Sequence, residues 1–362
     1  MNTARPSLRT CRPKRAIHAP ATAQRGVVTL IAALMLPVLL GTAAFAIDLA
    51  WVRVVRNELQ NAADAAALAG AHHLNSATPS TASWSAAEQQ TRSSVPLNAA
   101  AGAPLQQAQV ETGYWNPQQV GSQLVSLPHT PTAQEVPAVQ VTLRKAEGLN
   151  GGPVATFLAR LWSMSGIDIS ARAIAGRVAP GQVQKNQVFP LAISRCLYDN
   201  YWNSLASPAA PKLDPATGQP IVFRIGSTYD HGTCDTAQWS SLTVSSNSAS
   251  ELRNMILDGT APPVSVQTSI WVQNGKESSL YGEVKKCSEA GNGKCARVLV
   301  PVLQTVNTGA LNAVYGFACL RILDAKQGQD YVSAQMSSDC PPPQGGGIGP
   351  DLGVLLPPRL LG

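Results

Sequence analysis

An uncharged stretch that opens at Val27 and closes at Ile47, VVTLIAALMLPVLLGTAAFAI, decides most of what this chain can fold into. Its 21 residues, at ~1.5 Å of rise each, make roughly 31 Å of helix, the thickness of a hydrocarbon core of ~30 Å. Pro37 and Gly41 weaken a soluble helix but are tolerated in a membrane one. Arg5, Arg9, Arg12, Lys14, Arg15 and Arg25 precede the stretch with no acid among them, and only Arg53 and Arg56 follow closely. That bias makes 1–25 a basic cytoplasmic tail, 26–47 a transmembrane helix, and the remainder an exported part. The formal charge of +6 belongs to this tail, since without its cations 21 basic and 21 acidic residues remain. A neutral exported part without a basic run beside aromatics excludes nucleic acid as an expected partner. The rival to an anchor is a signal peptide cleaved after Ala44-Phe45-Ala46, which would release a secreted protein. Against it, the apolar run exceeds the ~7–15 residues of a signal core, and helical sequence continues beyond it.

That continuation, 48–74, is an Ala-rich juxtamembrane helix. Val52, Val55, Leu59, Ala62, Ala66 and Ala69 recur at spacings of three and four and form its packing face, opposite Arg53, Arg56, Asn57, Gln60 and Asp64. The narrow alanine stripe admits a close-approaching backbone. Two coverings fit it, the chain's own body or a second subunit in self-association.

Arg25-Gly26 before the span, Ile47-Asp48-Leu49-Ala50-Trp51, and the run from Glu58-Leu59-Gln60-Asn61 through Ala62-Ala63-Asp64-Ala65-Ala66-Ala67-Leu68-Ala69-Gly70 resemble the N-terminal module of TadE/TadG-like proteins. The resemblance covers about 45 of the 362 residues. It implies a bacterial inner-membrane component of Flp (tight adherence, type IVc) pilus assembly, with the membrane and other pilus-assembly or secretion proteins as partners and a periplasmic body. Gly26 sits where a prepilin peptidase would cut a pilin-like leader, but Ile31 stands where such leaders usually carry Glu. This departure favours an uncleaved anchor.

In the exported part, 75–109 is rich in Ala, Ser, Thr and Gln with Pro and Gly breakers and reads as linker, with room for a short helix around 83–91. Residues 110–178 suggest a small α+β unit, strand–strand–helix–strand. Val139, Val141 and Leu143 alternate with Gln140, Thr142 and Arg144, while Val154, Phe157, Leu158, Leu161 and Trp162 mark a helix face. Residues 182–340 form a Cys-containing, β-leaning domain, with strands expected over 188–193, 221–225, 297–304 and 315–323 and a helix over 249–257. The Pro/Gly-rich tail 341–362 reads as unstructured. The fold class is therefore α+β: a transmembrane helix continuing into an amphipathic one, then a mixed, β-rich body with disulfides.

Seven cysteines divide at the membrane. Cys11 stays in the reducing cytoplasm. Cys196, Cys234, Cys287, Cys295, Cys319 and Cys340 are disulfide candidates in an oxidising envelope, and neighbours in sequence, Cys196 with Cys234, Cys287 with Cys295 and Cys319 with Cys340, are the first pairings to consider. Six cysteines allow 15 connectivities.

Catalytic and cofactor signatures are missing. There is no C-x-x-C pair, G-x-S-x-G elbow or phosphate-binding G-x-x-x-x-G-K-[ST] loop. Asp168-Ile169-Ser170 resembles the opening of a von Willebrand A metal motif, but Arg172 stands where that motif needs serine. No catalytic, cofactor or metal residue is expected. A structural or scaffolding role follows. An envelope binding protein or enzyme unrelated to pili is the alternative, and its groups would gather around Asp230, His231 and Asp235.

Overall fold

The computed structural model describes residues 25–361 except 77, 133, 205, 207, 227–233, 235, 236, 275 and 276. Cys11, Asp230, His231, Asp235 and nearly all of the basic tail lie outside the described residues. The chain divides into two units, one of 1–53 with 155–167 and one of 54–154 with 168–362.

In the first unit the apolar run is helical, as the opening part of α1 (Arg25–Ala71), an uninterrupted helix with Pro37 inside it. Segment 155–167 is a strand-flanked excursion carrying a 3₁₀ turn, Ala159–Trp162. The helix face expected at 154–162 is therefore replaced by one tight turn. Strand pairing of Val154–Ala155 with Gly166–Ile167 and a left-handed Ser163 (φ 64°) leave no room for α-helical propagation.

The second unit is the body. Here α1 buries Val55, Leu59, Ala62, Ala63, Ala66, Ala67 and Ala71, while Ala69 is half-buried, as is Val52 in the first unit. The face read from periodicity is thus rotated toward Ala63, Ala67 and Ala71, and the chain's own body covers it. Gly70 explains how closely. A Cβ there would run into the Thr91 hydroxyl and lie 2.8 Å from the Ala87 carbonyl oxygen. Both belong to α2 (Thr81–Ser94), capped by the Ser80 hydroxyl and burying Trp84, Ala87, Thr91 and Ser94. Gly70→Ala is expected to lower stability by about 1–3 kcal/mol through overpacking, outweighing the ~1 kcal/mol alanine gains in a helix interior. Thermal unfolding of the purified chain checks this, and an unchanged or raised Tm would refute the close approach. The helix allowed around 83–91 forms as α2, and the other described residues of 75–109, read as linker, are folded too, because an amphipathic spacing hidden in Ser/Ala/Gln-rich sequence finds a sheet to pack on. Trp84 meets Tyr114 edge-on at 5.5 Å.

That sheet is antiparallel, ordered Arg359–Leu360, Ile169–Gly176, Val136–Lys145, Gln109–Trp115, Val125–Ser126. Val141 sits opposite both Val110 and Ala173, and Val139, Val141 and Leu143 are fully buried. Alternation fixes this register, because a one-residue slip would turn those three outward.

A second sheet runs Phe223–Ile225, Tyr331–Ser337, Ala310–Lys326, Arg297–Leu303, Leu191–Ser194, Gln238–Trp239, with Ser269–Val272 paired to the other end of the long Ala310–Lys326 strand. Leu191–Ser194 runs parallel to Arg297–Leu303, and the other pairings are antiparallel. Both faces are buried. Leu191, Ile193, Val300, Val302, Leu320 and Ile322 join one core with residues of α3 (Arg195–Tyr201), α4 (Ala249–Leu257) and α5 (Ser278–Cys287). Ala192, Leu299, Leu303, Phe317 and Cys319 join a second core. Two-sided burial explains why VLVPVL, after the exposed Arg297, is a continuous apolar run rather than an alternating one. The α4 boundaries match the sequence reading because a full capping box, Ser248 with Glu251, fixes its start.

The tail is a correction. It pairs Gly345–Gly346 with Gln182–Val183 and Arg359–Leu360 with the Ile169–Gly176 strand, and it buries Leu352, Val354, Leu355 and Leu356. Proline-rich sequence forms no structure of its own, but here other strands supply the edge and the cores supply the pockets.

Candidate functional site

The first charged residue after the apolar run, Asp48, is 3% exposed. One carboxylate oxygen accepts from the Phe157 N–H at 2.7 Å, and the other from the N–H groups of Leu158 and Ala159 at 3.0 and 2.7 Å. These donors open the Ala159–Trp162 turn, whose preceding residue, Leu158, provides no side-chain cap. Helix starts leave such N–H groups without partners, so Asp48 caps the turn from α1, more than a hundred residues away in sequence. The bonds are charge-assisted and therefore stronger than neutral ones. Trp51, one turn on, meets Phe157 edge-on at 5.9 Å.

The rest of the segment closes on itself. Met164 N–H donates to Ala159 O at 3.2 Å, Ser163 N–H to Arg160 O at 3.0 Å, and the Thr156 hydroxyl to Met164 O. Beside it, α1 presents an apolar surface. Every large apolar side chain described from Val28 to Ile47 is 52–67% exposed. An all-round apolar helix that protein leaves almost wholly uncovered, Ala44 being the buried exception, suits a membrane span, so the N-terminal helix is suited to membrane anchoring. Ile47, the expected end of the span, stands one residue before the buried carboxylate. Val27 lies in the helix.

Elsewhere, polar groups are engaged structurally. All six cysteines of the body are paired at disulfide distance, Cys196 with Cys234, Cys287 with Cys295 and Cys319 with Cys340, at Cα separations of 5.4, 5.0 and 5.8 Å. Burial pulls the Lys145 ammonium below its usual range, Glu58 opposing, and it donates to the Asn150 carbonyl at 2.6 Å. The Asn150 side chain in turn accepts from the Gln106 and Gln107 N–H groups. This clamps a loop. Burial likewise pushes the Tyr198 phenol up. The Thr132 N–H, followed by His129, holds the Glu135 carboxyl below its ordinary value. An open cleft of about 480 Å³ beneath Pro341, Pro342 and Pro343 includes Lys294 and Arg297, but Arg297 is already paired with Asp339 at 2.7 Å. Among the described residues no three His, Cys, Asp or Glu side chains gather as a metal site. His72 and His73 are exposed at the end of α1.

Sequence reading assigned Asp48 no contact. The available signal was its position, a single acid directly abutting an apolar run, but its partners lie at 157–159 and no local pattern connects the two. Residues 26–73 match the family described as putative Flp pilus-assembly TadE/G-like, and residues 69–175 match the family described as putative Tad-like Flp pilus-assembly. The second match ends within the last long strand of the first sheet. No curated protein and no solved structure matches the chain.

Proposed function

Because residues 26–73 are a TadE/G-like module, we propose that this chain is a single-pass inner-membrane scaffold of Flp-type pilus assembly. The observation that carries the reading is coincidence. The family match begins at residue 26 and ends at 73, and α1 runs Arg25–Ala71, with an apolar opening stretch whose described large side chains are all exposed and a following stretch buried in the body. In this reading residues 27–47 cross the bilayer, the basic tail faces the cytoplasm, and the body with its three disulfides stands in the oxidising periplasm. The role is structural. The anchor holds the body at the assembly base, and the body's outer surface, not the alanine stripe, meets other assembly proteins.

Deleting residues 27–47 is expected to move the protein from the membrane to the soluble fraction. Loss of the whole chain is expected to abolish Flp pili on the cell surface, scored by electron microscopy. Unchanged piliation in the deletion strain would refute the pilus assignment. Recovery of a membrane-extracted chain whose N-terminus is Ile47 would refute the anchor.

A further inference from the structure

Segment 155–167 reaches alongside the apolar run rather than stopping at its end. An apolar cleft of about 240 Å³ is lined by Gly41 and Phe45 of α1 together with Ala159 and Met164. Gly41 lies six residues before Ile47, which at 1.5 Å per residue is roughly 9 Å inside the run. If the run spans a bilayer, Ala159 and Met164 are immersed in it too.

The segment is built for that surrounding. Phe157, Met164 and Ile167 are 61, 52 and 39% exposed, which in water leaves apolar surface uncovered. Met164 shares its cleft with Phe45 of α1, which is itself 63% exposed. Backbone polar groups in lipid must be satisfied internally. Here Asp48 takes the N–H groups of 157, 158 and 159, and the Ala159 and Arg160 carbonyls and the Thr156 hydroxyl bond within the segment. Residues 155–167 contain no acid and one cation, Arg160, which is exposed and suits anionic headgroups.

We infer that segment 155–167 is a second membrane element, an apolar finger inserted into the outer leaflet of the bilayer beside α1 and held there by the Asp48 carboxylate. Insertion to about 5–10 Å is the depth of interfacial elements in general. The finger would fix the tilt and rotation of its own unit, the span with segment 155–167, against the membrane, which a single helix leaves free. The inference rests on the anchor reading above, and its test separates the two.

The test uses the full-length protein in phospholipid nanodiscs containing anionic lipid, with Cys11→Ser and one nitroxide-labelled cysteine at a time. Phe157→Cys and Met164→Cys probe the finger, Leu34→Cys the span, and Val120→Cys a fully exposed site of the body. Relative accessibility to oxygen and to a water-soluble nickel chelate reports depth. Labels at 157 and 164 are expected to give an oxygen-to-nickel ratio several-fold above that at 120, approaching that at 34. A ratio at 157 and 164 equal to that at 120, with 34 still lipid-exposed, overturns the finger and leaves the anchor standing. A water-exposed label at 34 overturns both.

Discussion

Removing the Cys196–Cys234 disulfide with paired serines is expected to lower the melting temperature of the body by roughly 8–16 °C. The bridge closes a separation of 38 residues, against 21 for Cys319–Cys340 and 8 for Cys287–Cys295. Loop-closure entropy of the unfolded chain then assigns about 4, 3 and 2.5 kcal/mol to the three in that order. Each 1 kcal/mol shifts the Tm of a larger domain by roughly 2–4 °C. Together the bridges amount to a stabilisation comparable with the whole ~5–15 kcal/mol of a typical domain. The body is therefore expected to fold poorly in a reducing compartment. Thermal unfolding of the three double-serine variants checks the ranking, with the 38-residue separation most sensitive. Thiol counting under denaturing conditions checks the pairing. More than one free thiol per native chain would refute three bridges, and an unchanged Tm in all three variants would refute their role in stability.

Truncating the chain after Pro350 is expected to destabilise the body at least as strongly. The lost segment buries Leu352 in one core and Val354 in the other, with Leu355 and Leu356 also buried. It also carries the Arg359–Leu360 edge strand and the Leu356 carbonyl that the Arg177 guanidinium bonds at 3.0 Å. Leu352→Ala alone is expected to cost about 2–5 kcal/mol as a buried large-to-small change, and the truncation removes four such groups. Gly353 is a sharper probe. Its φ is +81°, and a Cβ would fall 2.5 Å from Cζ2 of the Trp202 indole. Gly353→Ala therefore meets both a left-handed backbone and a wall, and is expected to displace the tail as the truncation does. Hydrogen exchange over 352–361 reads this directly. Equal exchange in wild type and Gly353→Ala, both at the rate of free peptide, would mean the tail is undocked.

Legibility in the sequence tracked how local each signal was. The apolar run is set by 21 successive uncharged residues, the Val136–Lys145 strand by the alternation at 139–144 and α4 by its capping box, and each was readable. So were the three cysteine pairings as nearest neighbours in sequence, although nothing in the sequence excluded the other connectivities. By contrast, the sequence only left room for α2 around 83–91, because Ser, Gln and Ala dominate it, and its packing depends on Trp84 meeting Tyr114 and on Gly70 admitting Ala87 and Thr91. The tail misread for the same reason. Its composition has no intrinsic structure, and the strands it pairs with lie more than 150 residues earlier. At the candidate site, Asp48 could be seen as an isolated acid after an apolar run, but not as the cap of a turn at 157–159.

By itself the sequence determined the elements whose energetics are summed along the chain. These are an apolar helix of membrane length, the charge bias before it, the TadE/G-like module, and strands with one or two buried faces. The tertiary structure decided everything that depends on which distant groups meet. It turned the alanine stripe inward onto the body, docked a proline-rich tail into two cores, and brought a buried carboxylate to three backbone donors more than a hundred residues away. The physical reason is that burial and hydrogen-bond satisfaction are properties of neighbours in space, and in this chain the decisive neighbours are far apart in sequence.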